Sequence, residues 1–128
     1  MTPELTYLVW SVALTFLLML VAVSAAMLKV GLPKLAGNRE TMPEFTGIAG
    51  RAQRAHRNML ESLALFAALV LTAQAAGIHN GMTLLGAELF FWGRAAHAVV
   101  YIVGLPWVRT AAFAVSVVGL ILIFLQLV

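Results

Sequence analysis

The stretch from Gly50 to Ser62, "GRAQRAHRNMLES", decides how this chain is read. It holds Arg51, Arg54, His56, Arg57, Asn58 and Glu61, and it runs straight into "LALFAALVLTA", Leu63 to Ala73. The whole chain has 128 residues, of which 62% are hydrophobic and 10% charged. Its mean hydropathy is +0.99. That composition excludes an ordinary soluble domain. A concentration of charge against an apolar run is then a feature to be explained.

Four stretches are long and apolar enough to cross a bilayer, which takes about 20 residues each. They run approximately over 5–28, 52–76, 81–103 and 107–128. Backbone polar groups in lipid must be satisfied internally, so these are expected to be helices. Short connections between them predict an all-α, up-and-down bundle of four transmembrane helices, in a single domain spanning 1–128. The first stretch is read as a retained helix rather than a signal peptide. "AVSAAM" imitates a cleavage site, but Glu4 and no Lys or Arg precede the apolar run.

The formal net charge is +3 and the pI is about 10.0. In this setting the charge follows membrane topology, not nucleic acid. Lys29, Lys34, Arg39, Arg51, Arg54 and Arg57 lie in or beside the first connection, and Arg109 follows the third. The second connection, around "GIHNG", has no Lys or Arg. The positive-inside rule therefore predicts that connections one and three are cytoplasmic and that both termini face out. Tyr7 and Trp10 would mark the outer interface and Trp107 the inner one. The cytoplasmic loop, about 29–50, is the only long connection. The glycines of the last two helices, Gly86, Gly93 and Gly119, are expected to allow close helix packing.

There is no cysteine, so no thiol of the chain can act as a nucleophile. The three histidines do not share ligand spacing, and no metal site is expected.

At 100° per residue, Arg54, Arg57, Asn58 and Glu61 fall within an arc of about 100° on the second helix. Arg94, His97 and Tyr101 fall within about 60° on the third. Both apolar helices thus carry one polar stripe. Glu61 lies nine residues past Ala52 and Arg94 nine before Val103, so each sits about 13 Å from its helix's inner end. The stripes match in depth and can face each other within one subunit or across two.

A purely structural reading makes Glu61 and Arg94 a buried ion pair, with Arg54 and Arg57 reaching to the headgroups. It leaves a surplus of cations, because Arg54, Arg57 and Arg94 face a single Glu61. An unpaired intramembrane cation costs about 2.5–3.5 kcal/mol on insertion scales. The surplus points to an anion supplied from outside. Arg109 and Thr110 add to it. They lie in the first turn of the last helix, after Pro106, where free backbone N–H groups favour an anion.

At these residues the chain resembles the MAPEG family, the membrane-associated proteins of eicosanoid and glutathione metabolism. "RAQRAHRNMLES" is similar to its helix-2 signature, R-A-H-x-N-x-x-E. "GRAAHAVVY" and "PWVRT" resemble the third and fourth helices of its prostaglandin E synthase and glutathione transferase branch. The resemblance spans essentially the whole chain and reads it as a bacterial member of that branch, which implies an inner-membrane location. It implies a homotrimer that binds glutathione in a cleft between subunits. Arg54, Arg57, Asn58 and Glu61 would come from one subunit, and Arg94, His97, Tyr101 and Arg109 from its neighbour. Lys29 stands where the family often has an arginine. Glu61 would hold the amine of glutathione and the arginines its carboxylates. Arg109 and Thr110 would hold its thiolate, directed at a lipophilic electrophile or a lipid hydroperoxide from the bilayer.

The sequence departs from the pattern in four places. Met59 replaces an aspartate, Gly50 replaces an acidic residue, Thr110 replaces a serine, and the Tyr101-to-Arg109 spacing is one residue shorter. These bear on the reaction and its substrate more than on the fold. Two rivals follow. One is a non-catalytic member of the same fold that binds another anion or a lipid headgroup. The other is a small proton-coupled exporter, which would need a membrane carboxylate in the first helix where this chain has only Glu4 at the mouth. Glu88 belongs to neither stripe.

Overall fold

The computed structural model describes residues 1–37 and 45–128. Arg39 and the middle of the first connection lie outside the described residues. Four long helices and one short one follow in order: α1 (Pro3–Val30), α2 (Leu32–Ala36), α3 (Gly47–Ala76), α4 (Gly81–Val103) and α5 (Pro106–Leu127). There is no strand among the described residues.

The ends of these helices are written in local chemistry. Thr2 caps α1 by accepting from the Leu5 N–H, with Pro3 in the first turn. Asn80 and Thr83 form a reciprocal capping box at the start of α4. Gly77 and Gly104 end α3 and α4 in the left-handed region, at φ +71° and +97°. Pro106 opens α5 where its missing N–H costs nothing.

Two boundaries differ from the sequence reading. The second long helix starts at Gly47 instead of residue 52, because Gly47 and Gly50 read as loop residues but lie within the helix. The charged stretch is fully helical. Residues 32–36 form α2 rather than loop, with Pro33 tolerated in a first turn.

α3 packs against α1 on one side and α4 on the other. α5 lies along α4, and α1 also touches α4. The core is centred on Phe66 of α3 and Phe90 of α4, whose rings stack at 4.0 Å. Met59, Val70, Ala87 and Ile123 close around them. α4 and α5 meet backbone to backbone. A β-carbon on Gly119 would lie 2.5 Å from the Gly86 oxygen, and one on Gly93 would lie 2.9 Å from the Ser116 nitrogen. Such contact between small residues takes the place of a hydrophobic driving force within lipid.

α1, α3 and α5 are each long and apolar enough to cross a membrane. α4 spans 23 residues and carries Glu88, Arg94 and His97.

Candidate functional site

The two polar stripes meet inside one chain. Arg94 is 1% exposed, and its Nη2 donates to the Asn58 side-chain oxygen at 2.7 Å. Its Nε and Nη1 are buried without a partner. No carboxylate of the described residues lies within ion-pair distance of it. Among the described residues the one ion pair is His79 with Glu4, at the other end of the bundle. The Glu61–Arg94 pair of the purely structural reading is therefore not formed. Counting from helix ends presumed those ends flush, but α3 starts five residues earlier. The register sets Asn58, one turn before Glu61, against Arg94.

Asn58 lies at the junction of two adjoining cavities, one walled by α3, α4 and α5 and the other by α3 and α5. One has a volume of about 280 Å³ and is lined by Asn58, His97, Tyr101, Arg109, Thr110 and Phe113. The Arg109 guanidinium lies over the Tyr101 ring, 4.7 Å from its centre. His97 is buried, with its ring 5.4 Å from that of Tyr101 and 6.2 Å from that of Phe113. The Thr110 hydroxyl donates to the Pro106 carbonyl at 3.1 Å, so its proton is engaged within the helix.

The second cavity, about 210 Å³, is mainly apolar. Leu65, Val117 and Leu120 line it, with Glu61, Ser62 and Ser116 as its polar groups. Asn58 and Phe113 belong to both cavities. Phe113 carried no signal in the sequence reading, because a lone phenylalanine in an apolar helix reads as lipid-facing.

Asn58 has one acceptor and one donor end. Arg94 can only donate, so it fixes the oxygen toward itself and turns the amide N–H groups away from it. Arg94 does not line either cavity. It acts from beneath, as a buried positive charge behind Asn58.

Other expected residues stand apart. Arg54 and Arg57 are exposed on α3 and line neither cavity. Arg54 folds back along its helix, its Nη1 3.1 Å from where a β-carbon of Gly50 would sit. That same β-carbon would lie 2.4 Å from the Phe45 oxygen, which explains why glycine stands at 50: the chain entering α3 crosses directly over it. Lys29 lines a separate cavity with Leu28, Ile48 and Ala49, between α1 and α3. A further cavity of about 280 Å³ on that side holds His56 and Gln53 among apolar residues of α1. Glu88 is half-buried on α4 and has no side-chain partner among the described residues.

A second polar cluster escaped the sequence reading. Glu4 is buried on α1 and meets His79, and the Thr83 hydroxyl lies 2.9 Å from the same carboxylate oxygen. Its other oxygen, Oε1, is buried without a partner. Asn80 extends the cluster to Gln126 of α5 at 3.1 Å. No group of three or more metal-ligating side chains occurs among the described residues.

These features define an integral membrane protein, all helical, with a polar cavity lined by Arg109 and backed by the buried Arg94. The chain belongs to the MAPEG family, whose model matches residues 5–128, essentially its full length. No curated protein and no solved structure matches it. The family includes glutathione-dependent transferases and non-catalytic members, and its members are typically oligomeric and embedded in membranes.

Proposed function

We propose that this protein is a glutathione-dependent membrane transferase or peroxidase, acting on lipophilic electrophiles or lipid hydroperoxides. The observation that carries the reading is Arg94. A buried guanidinium with two unpartnered nitrogens, and with no carboxylate of the described residues beside it, is a cation lacking its counterion. An anionic ligand above Asn58 would supply that charge.

The residues present suit such a ligand. Arg109, Arg94 and the amide of Asn58 are matched to carboxylate or thiolate, and Glu61 in the adjoining cavity to an amine. Bound glutathione supplies a thiol, whose free form ionises near pH 8.5, about 1.5 units above neutrality. Arg109, in the first turn of α5, adds fixed positive charge at a helix N-terminus and favours the thiolate form. The Tyr101 ring holds the guanidinium from its other side. The apolar cavity beyond Phe113 accommodates a lipophilic group and keeps water from it.

The site residues of this reading are Asn58, Glu61, His97, Tyr101, Arg109 and Thr110 from one chain, with Arg94 beneath them. Lys29, Arg54 and Arg57 do not reach these cavities within their own chain and would act from a neighbour in a homotrimer. The assembly spans the membrane with four helices per chain, both termini outside and the first and third connections cytoplasmic. In this arrangement α4 crosses despite its charges, because Arg94 and His97 face inward.

The test is glutathione binding to purified protein by calorimetry, with ultraviolet absorbance to detect thiolate. Saturable binding, weakened in Glu61→Ala, with thiolate lost but binding largely kept in Arg109→Ala, supports the proposal. Absence of binding at millimolar glutathione refutes it and turns attention to another anion.

A further inference from the structure

Arg51 opens the charged stretch, yet it lines neither cavity. The last four carbonyls of an α-helix have no partner within it. At the end of α4, the Val100 carbonyl accepts from the N–H groups of Gly104 and Leu105, at 2.9 and 3.0 Å. The Ile102 carbonyl accepts from Arg51 Nε, at 2.9 Å, across 51 positions of sequence. The guanidinium also closes on the corner residue. A β-carbon at Gly104 would lie 3.5 Å from Arg51 Nε and 3.7 Å from its Cζ. A cation at a helix C-terminus is favourably placed against the macrodipole.

From that corner only Leu105 precedes α5, and the Arg109 N–H donates to the Leu105 carbonyl at 3.0 Å. Arg109 therefore hangs from the corner that Arg51 holds. Arg51 itself sits two turns before Asn58 on α3. The two walls of the polar cavity, Asn58 and Arg109, are thus linked through Arg51, Ile102 and the turn.

We propose that Arg51 is a positioning residue: its guanidinium clamps the α4–α5 corner to α3 and sets the span between Asn58 and Arg109. The consequence for chemistry rests on the reading that this cavity holds an anionic thiol; the clamp does not. An arginine serving only as a headgroup anchor would not be half-buried with its Nε on a helix carbonyl.

Two variants test this. Arg51→Met keeps the apolar stem and removes the donor. Arg51→Lys keeps the charge without the planar fork. The first readout needs no ligand. The chain has no cysteine, so Gln53→Cys and Val108→Cys, both at exposed positions, take a pair of spin labels without interference. Pulsed electron resonance on labelled protein diluted with unlabelled chains gives the α3–α5 distance distribution. The clamp predicts one narrow distribution with Arg51, broadening in Arg51→Met and partial recovery in Arg51→Lys, at unchanged helical circular dichroism. An unchanged distribution in Arg51→Met overturns it. Should Arg51→Met fail to fold, Arg51→Lys decides by the same criterion.

The second readout is the pH profile of bound-thiolate absorbance. It should move upward by about one unit in Arg51→Met, which approaches a tenfold loss of thiolate at pH values below the midpoint, with binding little changed. Wild-type protein that binds no glutathione sinks the proposed function, while the distance distribution still decides the clamp.

Discussion

Replacing Asn58 by aspartate should stabilise this protein while spoiling its site. The change is nearly isosteric. It keeps the oxygen that lies 2.7 Å from Arg94 Nη2 and exchanges the outward amide nitrogen for a second oxygen. Arg94 is 1% exposed, with two nitrogens unpartnered, so the chain already bears the cost of burying its charge. A carboxylate at 58 adds the desolvation of one further ion but gains Coulomb attraction where screening is weak. A hydrogen bond to a charged group is worth about 1.5–3 kcal/mol, and an unpaired cation at membrane depth costs about 2.5–3.5 kcal/mol. Asn58→Asp should thus raise unfolding free energy by about 1 kcal/mol or more, and Asn58→Ala should lower it by about 1.5–3 kcal/mol. Reversible unfolding in mixed detergent micelles, followed by circular dichroism, measures both. The same aspartate cancels the charge that attracts an anion, so glutathione affinity should fall at least about tenfold, or 1.4 kcal/mol. If Asn58→Asp destabilises as much as Asn58→Ala, Arg94 is not a cation short of a counterion and gives no reason for an anionic ligand.

Other perturbations probe other parts. Gly119→Val forces apart two backbones now in contact at the Gly86 oxygen; it should cost about 1–3 kcal/mol or more in the same unfolding assay, with Gly119→Ala less severe. Glu4→Leu removes the acceptor shared by His79 and Thr83 and should cost about 1–3 kcal/mol, whereas Glu4→Gln retains an acceptor and should cost less. Phe113→Ala merges the polar and apolar cavities; it should change which lipophilic substrates are turned over far more than it changes glutathione binding, as competition assays would reveal.

Much of the fold is legible in the residues because lipid imposes a simple rule on them. The runs 81–103 and 107–128 are read from hydropathy to within a residue, since Asn80, Gly104 and Pro106 punctuate them. The start of α3 is misread because Gly47 and Gly50 read as loop residues, whereas both lie in the helix and Gly50 lets the Phe45 backbone cross over it. The stripes on α3 and α4 follow from 100° spacing. Their mutual register does not, because it is settled by contacts between helices. Between α3 and α4 those contacts include Phe66 stacked on Phe90 and Arg51 on the Ile102 carbonyl, and in that register Asn58 rather than Glu61 meets Arg94. Glu4 illustrates the same limit. In sequence it is an acid in a first helical turn, with nothing to mark its pairing to a histidine 75 residues away.

The seam of glycines between α4 and α5 also bears on how the chain is made. α4 alone offers a bilayer Glu88, Arg94 and His97 along its length, and a translocon weighing it by hydropathy would hesitate over it. α5 is strongly apolar, follows after a corner of two residues, Gly104 and Leu105, and buries one flank of α4 against its own backbone. The two helices should therefore enter the membrane as one hairpin, the later segment carrying the earlier. A ribosome-bound chain that ends before α5 should leave α4 outside the bilayer, and the same chain extended by twenty-odd residues should draw it in.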